Sequence, residues 1–338
     1  MPECVDSMES RVSGPEDRAT AGMSAGVIRI VGKQNRVGLD RDIAVVSTSL
    51  EAAGRSATFR HYRERGWWKA LLPGSATVSA QIFIERAFSR WRRSAKISFL
   101  IPNQERFPMR HLGRLTSVDA VLAKTRHAAE IFSRYHESVV LIGFTSPDRK
   151  SEQSAKDWRQ FLHVAGRSSV KGTDVVMRLW ERHPEWPTLH LVQCAENAPQ
   201  SVPSNVELYA GYLDDRELLH LQNRCGIHLC PSLCEGWGHY IAEGMSCGAV
   251  VLTTDAPPMN ELVAVERGRL VDWDRSEPRH LGTSFYVSPS ALEQSIEEVL
   301  QTPEESLASV GDAARKWFQD NDARFRKDFP NVLGDWGG

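Results

Sequence analysis

The stretch Arg224–Val263 reads RCGIHLCPSLCEGWGHYIAEGMSCGAVVLTTDAPPMNELV, and its parsing decides the fold. It carries one apolar run at Ile227 to Cys230 and a second at Ala249 to Leu252. Between them, glycines and small residues mark a turn followed by a helix, so the segment reads as strand, turn, helix, strand. That is a βαβ unit, and open α/β sheets bind ligands where such strands deliver their carboxyl ends. Two glutamates eight residues apart fall at that place, Glu235 in the turn and Glu243 within the helix.

The same alternation continues towards the N-terminus. Val27 to Val31 is a short strand ending at Gly32, the loop to Gly38 follows, and Leu39 to Ala53 carries apolar residues at helical spacing. This is the opening of a Rossmann-like half-domain. No Gly-Lys-Ser/Thr closes the loop as a Walker phosphate cradle, which leaves Lys33, Asn35 and Arg36 as a polar lip able to touch a substrate. Apolar runs at Ala57–Phe59, Val78–Ile84, Ile97–Ile101, Ala120–Ala123 and Ser138–Ile142, with a helical pattern from Arg126 to Tyr135, argue for a parallel sheet. Ile97–Ile101 ends in Pro102-Asn103-Gln104-Glu105, which puts Asn103 and Glu105 at a strand's carboxyl end as site candidates. Between Ile84 and Lys96 one helical stripe holds Ile84, Ala87, Phe88, Trp91 and Ala95, and another holds Arg86, Arg90, Arg93 and Lys96. The pattern predicts an amphipathic helix, either with a solvated basic face or with one for peripheral contact with a membrane surface or for an anionic acceptor.

Ser146 to Asp157 is polar and reads as a linker. A second series follows, with strand 160–165, helix 173–183, strands 188–193 and 206–210, and helix 215–223. Asp214 with Glu217 has capping-box geometry, which explains that acidic pair without catalysis. The loop Gly166-Arg167-Ser168-Ser169-Val170-Lys171-Gly172 leaves the first strand of the series. Two cations at a sheet's carboxyl edge suit a diphosphate, Arg167 as a fork and Lys171 as a point charge. Beyond the opening stretch, Gly268–Asp274 and Ser284–Val287 flank a loop, Pro289–Leu300 is an amphipathic helix, and the aromatic tail through Trp317, Phe318, Phe325 and Phe329 reads as helix packed on core.

Composition sets the outer bounds. A chain of 338 residues has room for two domains at about 150 residues each. Its apolar fraction of 41%, charged fraction of 25% and net charge of −2 are ordinary for a globular protein and give no reason to expect nucleic acid as partner. No apolar run approaches the roughly 18 residues of a membrane span, and residues 1–24 are polar, a disordered leader rather than a secretory signal. Six cysteines without a C-x2-C pair read as reduced thiols, not a metal site, in a cytoplasmic protein or one peripheral at the inner face of a membrane.

Eight residues of helix rise about 12 Å, too far for two carboxylates to share a proton or hold one metal. They could instead grip hydroxyls at the two ends of an elongated ligand. The free N–H groups of Gly236, Trp237 and Gly238 at the helix start favour an anion between them. Hydroxyls at each end and a diphosphate in the middle describe a nucleotide sugar.

With those residues in place, CEGWGHYIAEG followed by SCGAVVLTTDAPPMNELV resembles the E-x7-E signature of retaining glycosyltransferase family 4, and GRSSVKG resembles its phosphate loop. The likeness covers about Phe161 to Val263; the N-terminal half matches in layout. It implies the α/β GT-B fold, two Rossmann-like domains facing across a central cleft, with boundaries at 25–150 and 151–310 and a C-terminal helix, 311–338, crossing back to the first domain. It implies transfer of a sugar from a UDP-, GDP- or ADP-sugar to a sugar, lipid-linked or small-molecule acceptor, with retention and without a metal or other cofactor. Carried over by position, Glu243 would bind the ribose, Glu235 the donor sugar, Gly166 and the 236–238 backbone the sugar and phosphate, and Arg167 and Lys171 the leaving diphosphate. His239 stands where many relatives carry an apolar residue, and His111 and His127 are the counterparts available for the usual first-domain histidine. The alternatives are a catalytically silent nucleotide-sugar-binding protein and a nucleotide-sugar epimerase of the same fold.

Overall fold

The computed structural model of the chain describes residues 27–34, 38–66, 76–152, 155–211, 213–334 and 336. The proposed leader, 1–24, and the lip residues Asn35 and Arg36 lie outside these. Six strands, β1 (Ile28–Gly32), β2 (Ala57–His61), β3 (Val78–Glu85), β4 (Ala95–Pro102), β5 (Ala120–Ala123) and β6 (Val139–Leu141), form one parallel sheet in the order β2-β1-β3-β4-β5-β6. Helices α1 (Gly38–Ala52) and α2 (Arg126–Phe132) pack on it. A second parallel sheet has the order β12-β11-β10-β7-β8-β9. Its strands are β7 (Asp157–Gly166), β8 (Leu189–Gln193), β9 (Val206–Ala210), β10 (Cys225–Cys230), β11 (Val250–Thr254) and β12 (Arg269–Val271). Helices α3 (Thr173–Arg182), α4 (Asp215–Arg224), α5 (His239–Ser246), α6 (Met259–Leu262) and α7 (Pro289–Gln301) accompany it. Strands β8, β10 and β11 are buried at every position, as parallel strands covered on both faces must be. The two sheets are the pair of Rossmann-like units that the alternation predicts.

Two sequence expectations are corrected. No helix spans Ile84 to Lys96: Ile84 belongs to β3 and Ala95 to β4, paired to neighbouring strands as Ile84↔Ile101 and Val78↔Ala95. The apolar residues of the stripe are indeed inside, with Ala87 and Trp91 buried, but two strand ends and a short turn put them there. A chance match to the helical period disguised a strand–turn–strand, and the amphipathic-helix argument for membrane contact falls with it. Likewise, 268–287 is not two strands around a plain loop. Strand β12 is followed by an antiparallel hairpin, β13 (Trp273–Arg279) with β14 (Gly282–Val287). Most of β13 is exposed and polar, so it leaves no apolar period to read.

Helix α8 (Glu304–Gly334) packs against both α5 and α1 and so joins the two sheets. Its Phe325 and Phe329 stack at 5.1 Å, and Phe325 meets Phe144, beyond β6, edge-on. Asn321 donates to the Phe144 carbonyl at 2.7 Å, and Thr145 donates to Asp322 at 2.9 Å. A second tie runs from α6. Both oxygens of Glu261 accept backbone N–H groups at the start of α2, from Arg126 and His127 at 2.8 Å each, placing an anion at the positive end of a helix. Phe329 is fully buried in the shared core. Phe329→Ala should therefore cost about 3–5 kcal/mol, read as a shift of the urea midpoint; a loss below about 1 kcal/mol would show that α8 does not anchor the two sheets.

Candidate functional site

The 231–238 loop leaves β10 at its carboxyl end and enters α5, whose N-cap is Gly238. Glu235 projects from this loop. Its Oε1 accepts from Lys171 Nζ at 2.5 Å and from Ser232 Oγ at 2.5 Å. Tyr240 O–H lies 2.6 Å from the same serine hydroxyl, and the Lys171 ammonium sits 3.6 Å above the Tyr240 ring. The loop of Lys171, between β7 and α3, reaches this place because Leu233 donates to the Val170 carbonyl at 2.9 Å. Gly172 permits the approach: it has φ +72°, and a Cβ there would lie 2.4 Å from the Pro231 carbonyl oxygen.

Glu243 is buried on α5. One oxygen lies 3.2 Å from Arg41 Nη1 of α1, and the other accepts from Gln222 Nε2 at 3.2 Å. The pair Arg41–Glu243 thus crosses between the two sheets, and a ligand hydroxyl on Glu243 would share its carboxylate with Arg41.

Beside it runs a chain of buried polar groups. Asp42 on α1 accepts from Lys124 at 2.6 Å, and Lys124 also donates to Asn103 Oδ1 at 2.9 Å. The other Asp42 oxygen lies 3.0 Å from His239 Nε2, whose Nδ1 is 2.8 Å from Ser146 Oγ. Burial alone would raise the Asp42 carboxyl, but Lys124 and His239 outweigh it and hold the group below the usual carboxylate range. Trp237 Nε1 donates to the same serine oxygen at 3.2 Å, so the Trp237 side chain belongs to the contact between sheets. Asn103 in turn closes on the glutamate loop: a Cβ at position 236 would meet its Oδ1 at 2.3 Å, which only glycine avoids. Next to it Gln104 Nε2 donates to the Glu235 carbonyl at 2.8 Å.

Lys171, Glu235, Asn103 and Glu105 therefore gather at one place, and His239 and Glu243 stand along the same helix, each facing α1. Arg167 does not join them; its side chain is 67% exposed, 3.7 Å from Glu196. Gly166 ends β7 at the head of that loop, and Lys33 follows β1 on the exposed rim. Of the two histidines, His111 is buried beside Phe107, while His127 lends its backbone N–H to Glu261. Sequence reasoning overlooked Arg41, Asp42, Gln104, Lys124 and Ser232. A signal existed for Asp42, which interrupts the apolar stripe Leu39, Ile43, Val46, Leu50 on the buried face of α1. Lys124 likewise directly follows the wholly apolar β5.

The Glu105 carboxyl is displaced upward. Burial, helped by the charge of Glu235, pushes it up to about 7, and its Oε2 has no hydrogen-bond partner among the described residues. Between pH 4.5 and about 7 the unfolded chain has released this proton while the folded chain keeps it, so folding stability falls as pH rises through that window. Glu105→Gln stays neutral throughout and should gain on the parent by about 1–3 kcal/mol between pH 5 and pH 8. Denaturation series across that range measure the difference, and a difference independent of pH would contradict the burial of an ionisable Glu105.

The fold is similar to that of Anabaena Alr3699/HepE, crystallised in complex with UDP and glucose, with a TM-score of 0.69 and 13% identity over 92% of this chain and 100% of that one. A glycosyltransferase from Rickettsia africae gives 0.65 at 14% identity, covering 91% of this chain and 97% of that chain. Sucrose-phosphate synthase from Thermosynechococcus elongatus gives 0.69 at 14%, covering 92% and 98%. These likenesses establish the GT-B fold. No curated protein matches the chain. The family described as glycosyl transferases group 1 matches residues 145–317, which is just over half of the 338 residues and takes in Lys171, Glu235 and Glu243 together. By that match, the chain belongs to the glycosyl transferases group 1.

Proposed function

We propose that the chain transfers a sugar from a nucleotide-sugar donor, held at the carboxyl edge of the second sheet, to an acceptor presented by the first, with retention of configuration and without a metal. The observation that carries this reading is the Lys171–Glu235 pair at the mouth of α5, 2.5 Å apart and largely shielded from water. A cation and a carboxylate set side by side, next to the free N–H groups of a helix start, offer what a diphosphate and a hexose require together. The diphosphate displaces Glu235 as the partner of Lys171, and the freed Glu235 carboxylate turns to the donor sugar. Arg167 leaves Glu196 to close on the phosphates from the rim, and Glu243 takes the ribose hydroxyls. The UDP and UDP-glucose complexes of the Anabaena neighbour support a donor of this class.

In the transfer, the acceptor hydroxyl oxygen forms the new bond to the anomeric carbon. The bond from that carbon to the diphosphate breaks with its electron pair on the leaving group, and the hydroxyl proton passes to the departing diphosphate. Negative charge grows on the diphosphate during this step, so fixed cations aimed at it stabilise the transition state more than the bound donor. Lys171 and Arg167 fill that role without a divalent ion. The buried thiols suit a reducing, cytoplasmic setting.

A thermal-shift panel over UDP-, GDP- and ADP-sugars identifies the donor base, since bound ligand stabilises by mass action. With that donor, Glu243→Ala should weaken nucleoside-diphosphate binding about tenfold to a hundredfold, the worth of a charged hydrogen bond; unchanged affinity would remove its ribose role. Lys171→Ala should lower kcat by about 10²–10³ while donor affinity changes far less. Turnover of the parent should survive EDTA, and its loss there, restored by Mg²⁺, would overturn the metal-independent reading.

A further inference from the structure

The first sheet carries a cavity of about 440 Å³ that the donor reading leaves unused. It lies at the carboxyl edge, where α/β sheets receive ligands. Four neighbouring strands contribute their ends to it: Tyr62 follows β2, Lys33 follows β1, Glu85 ends β3 and Arg106 follows β4.

Its lining is strongly cationic. Lys33, Arg86, Arg90, Arg106 and Arg114 face the single carboxylate of Glu85. Arg86 lies 3.3 Å from Glu85, and Arg106 lies 3.8 Å from Glu105. Among the described residues Lys33, Arg90 and Arg114 have no ion-pair partner. One further group in the wall is unsatisfied: the buried Nδ1 of His111 has no hydrogen-bond partner among the described residues, whereas Nε of Arg86 is the atom that faces Glu85. Burial, with Arg114 and Arg86 nearby, holds the His111 imidazole below its ordinary pKa and hence neutral at pH 7. Buried polar groups left open in a concave site call for a ligand that completes them.

The backbone is strained at the same place. Glu85 is a non-glycine residue at φ +69°, a strained conformation of the kind that collects at functional sites. The turn it makes sends Arg86 and Arg90 to the cavity instead of along the strand. In the same lining, Tyr62 and Phe88 stack at 4.7 Å and 19°, and Trp91 Nε1 fixes the Tyr62 carbonyl at 3.0 Å. The wall is therefore one part guanidinium and one part rigid aromatic surface.

We infer that this cavity binds the acceptor, and that the acceptor carries a phosphate or diphosphate group, seated among Arg86, Arg90 and Arg114 with its sugar or carbon frame against Tyr62 and Phe88. Several guanidinium forks match the several oxygens of a phosphate, where a neutral hydroxyl compound would leave them unpaired. The group is a handle and takes no part in the bond changes of transfer. Its position fits that use, because Arg106 and Glu105 follow directly on Gln104, which holds the Glu235 carbonyl. The cavity thus adjoins the donor site through residues 104–106. The inference rests on the reading of the chain as a sugar transferase.

Calorimetric titration of the full chain with glucose 6-phosphate, a short prenyl diphosphate and glucose tests it, alongside UDP, GDP and ADP. At least one of the two phosphorylated probes should bind tenfold or more tighter than glucose, and the tighter of them assigns the acceptor as a soluble sugar phosphate or a lipid-linked diphosphate. The Arg86→Gln/Arg114→Gln variant should lose that affinity at least tenfold and keep nucleoside-diphosphate affinity within twofold. Should this variant unfold, Arg90→Gln/Lys33→Gln, on the rim, makes the same comparison. Phosphorylated probes that bind no better than glucose, or that bind the folded variants undiminished, overturn the proposal. So does an equal loss of nucleoside-diphosphate affinity, which would make the cavity the donor's own diphosphate site. Phosphorylated probes that bind while no nucleoside diphosphate does would sink the donor reading and leave this anion site standing.

Discussion

The buried carboxylate of Asp42 is the constraint on which the arrangement of the two sheets depends. It sits in the apolar stripe of α1, where an unpaired charge would cost several kcal/mol, and the cost is avoided only because Lys124 and His239 both reach it. Lys124 comes from the end of β5 and His239 from the first turn of α5, so one ionised group fixes a helix of the first sheet, a strand end of the same sheet and a helix of the second. Hydrophobic burial by α8 supplies more of the adhesion, but it is non-directional. The hydrogen bonds at Asp42 set the register in which the halves meet.

Much of the site geometry follows from that register. The same Lys124 ammonium orients Asn103 against Gly236, and the residue before Asp42, Arg41, is thereby delivered to Glu243. The carboxyl edge of one sheet then presents Lys171 and Glu235, and the carboxyl edge of the other presents a cationic hollow. In the function proposed here these are complementary halves of one reaction: one edge receives charge that develops on the leaving diphosphate, and the other holds an anion that arrives with the acceptor. The unused hydrogen-bonding capacity of Glu105 lies where the halves adjoin.

The fold was legible because parallel strands buried on both faces leave near-continuous apolar runs, and β8, β10 and β11 have them. Glu235 and Lys171 could be singled out for a related reason, since carboxyl-end loops are where polar residues interrupt such runs, and Glu243 by its spacing from Glu235 along the helix that follows. What escaped was of two kinds. At Ile84 to Lys96 the helical period was matched by accident, because strand pairing and a turn at Glu85 bury the same side chains that a helix would. Arg41, Lys124 and Gln104 escaped because their partners are remote in sequence. Lys124 meets Asp42 across 82 positions and Gln104 meets Glu235 across 131, distances that no local pattern records. Arg167 shows the converse: spacing groups it with Lys171, whereas its side chain turns outward to Glu196.

The central claim is that the nucleotide-sugar donor is clamped between Lys171, Glu235 and Glu243. A crystal structure of the chain soaked with the nucleoside diphosphate that stabilises it most tests this directly. The account predicts the diphosphate in contact with Lys171 at the mouth of α5 and the ribose hydroxyls on Glu243, with Arg41 displaced or shared. A nucleotide lodged instead among Arg86, Arg90 and Arg114, with the Lys171–Glu235 and Arg41–Glu243 pairs intact, would contradict it.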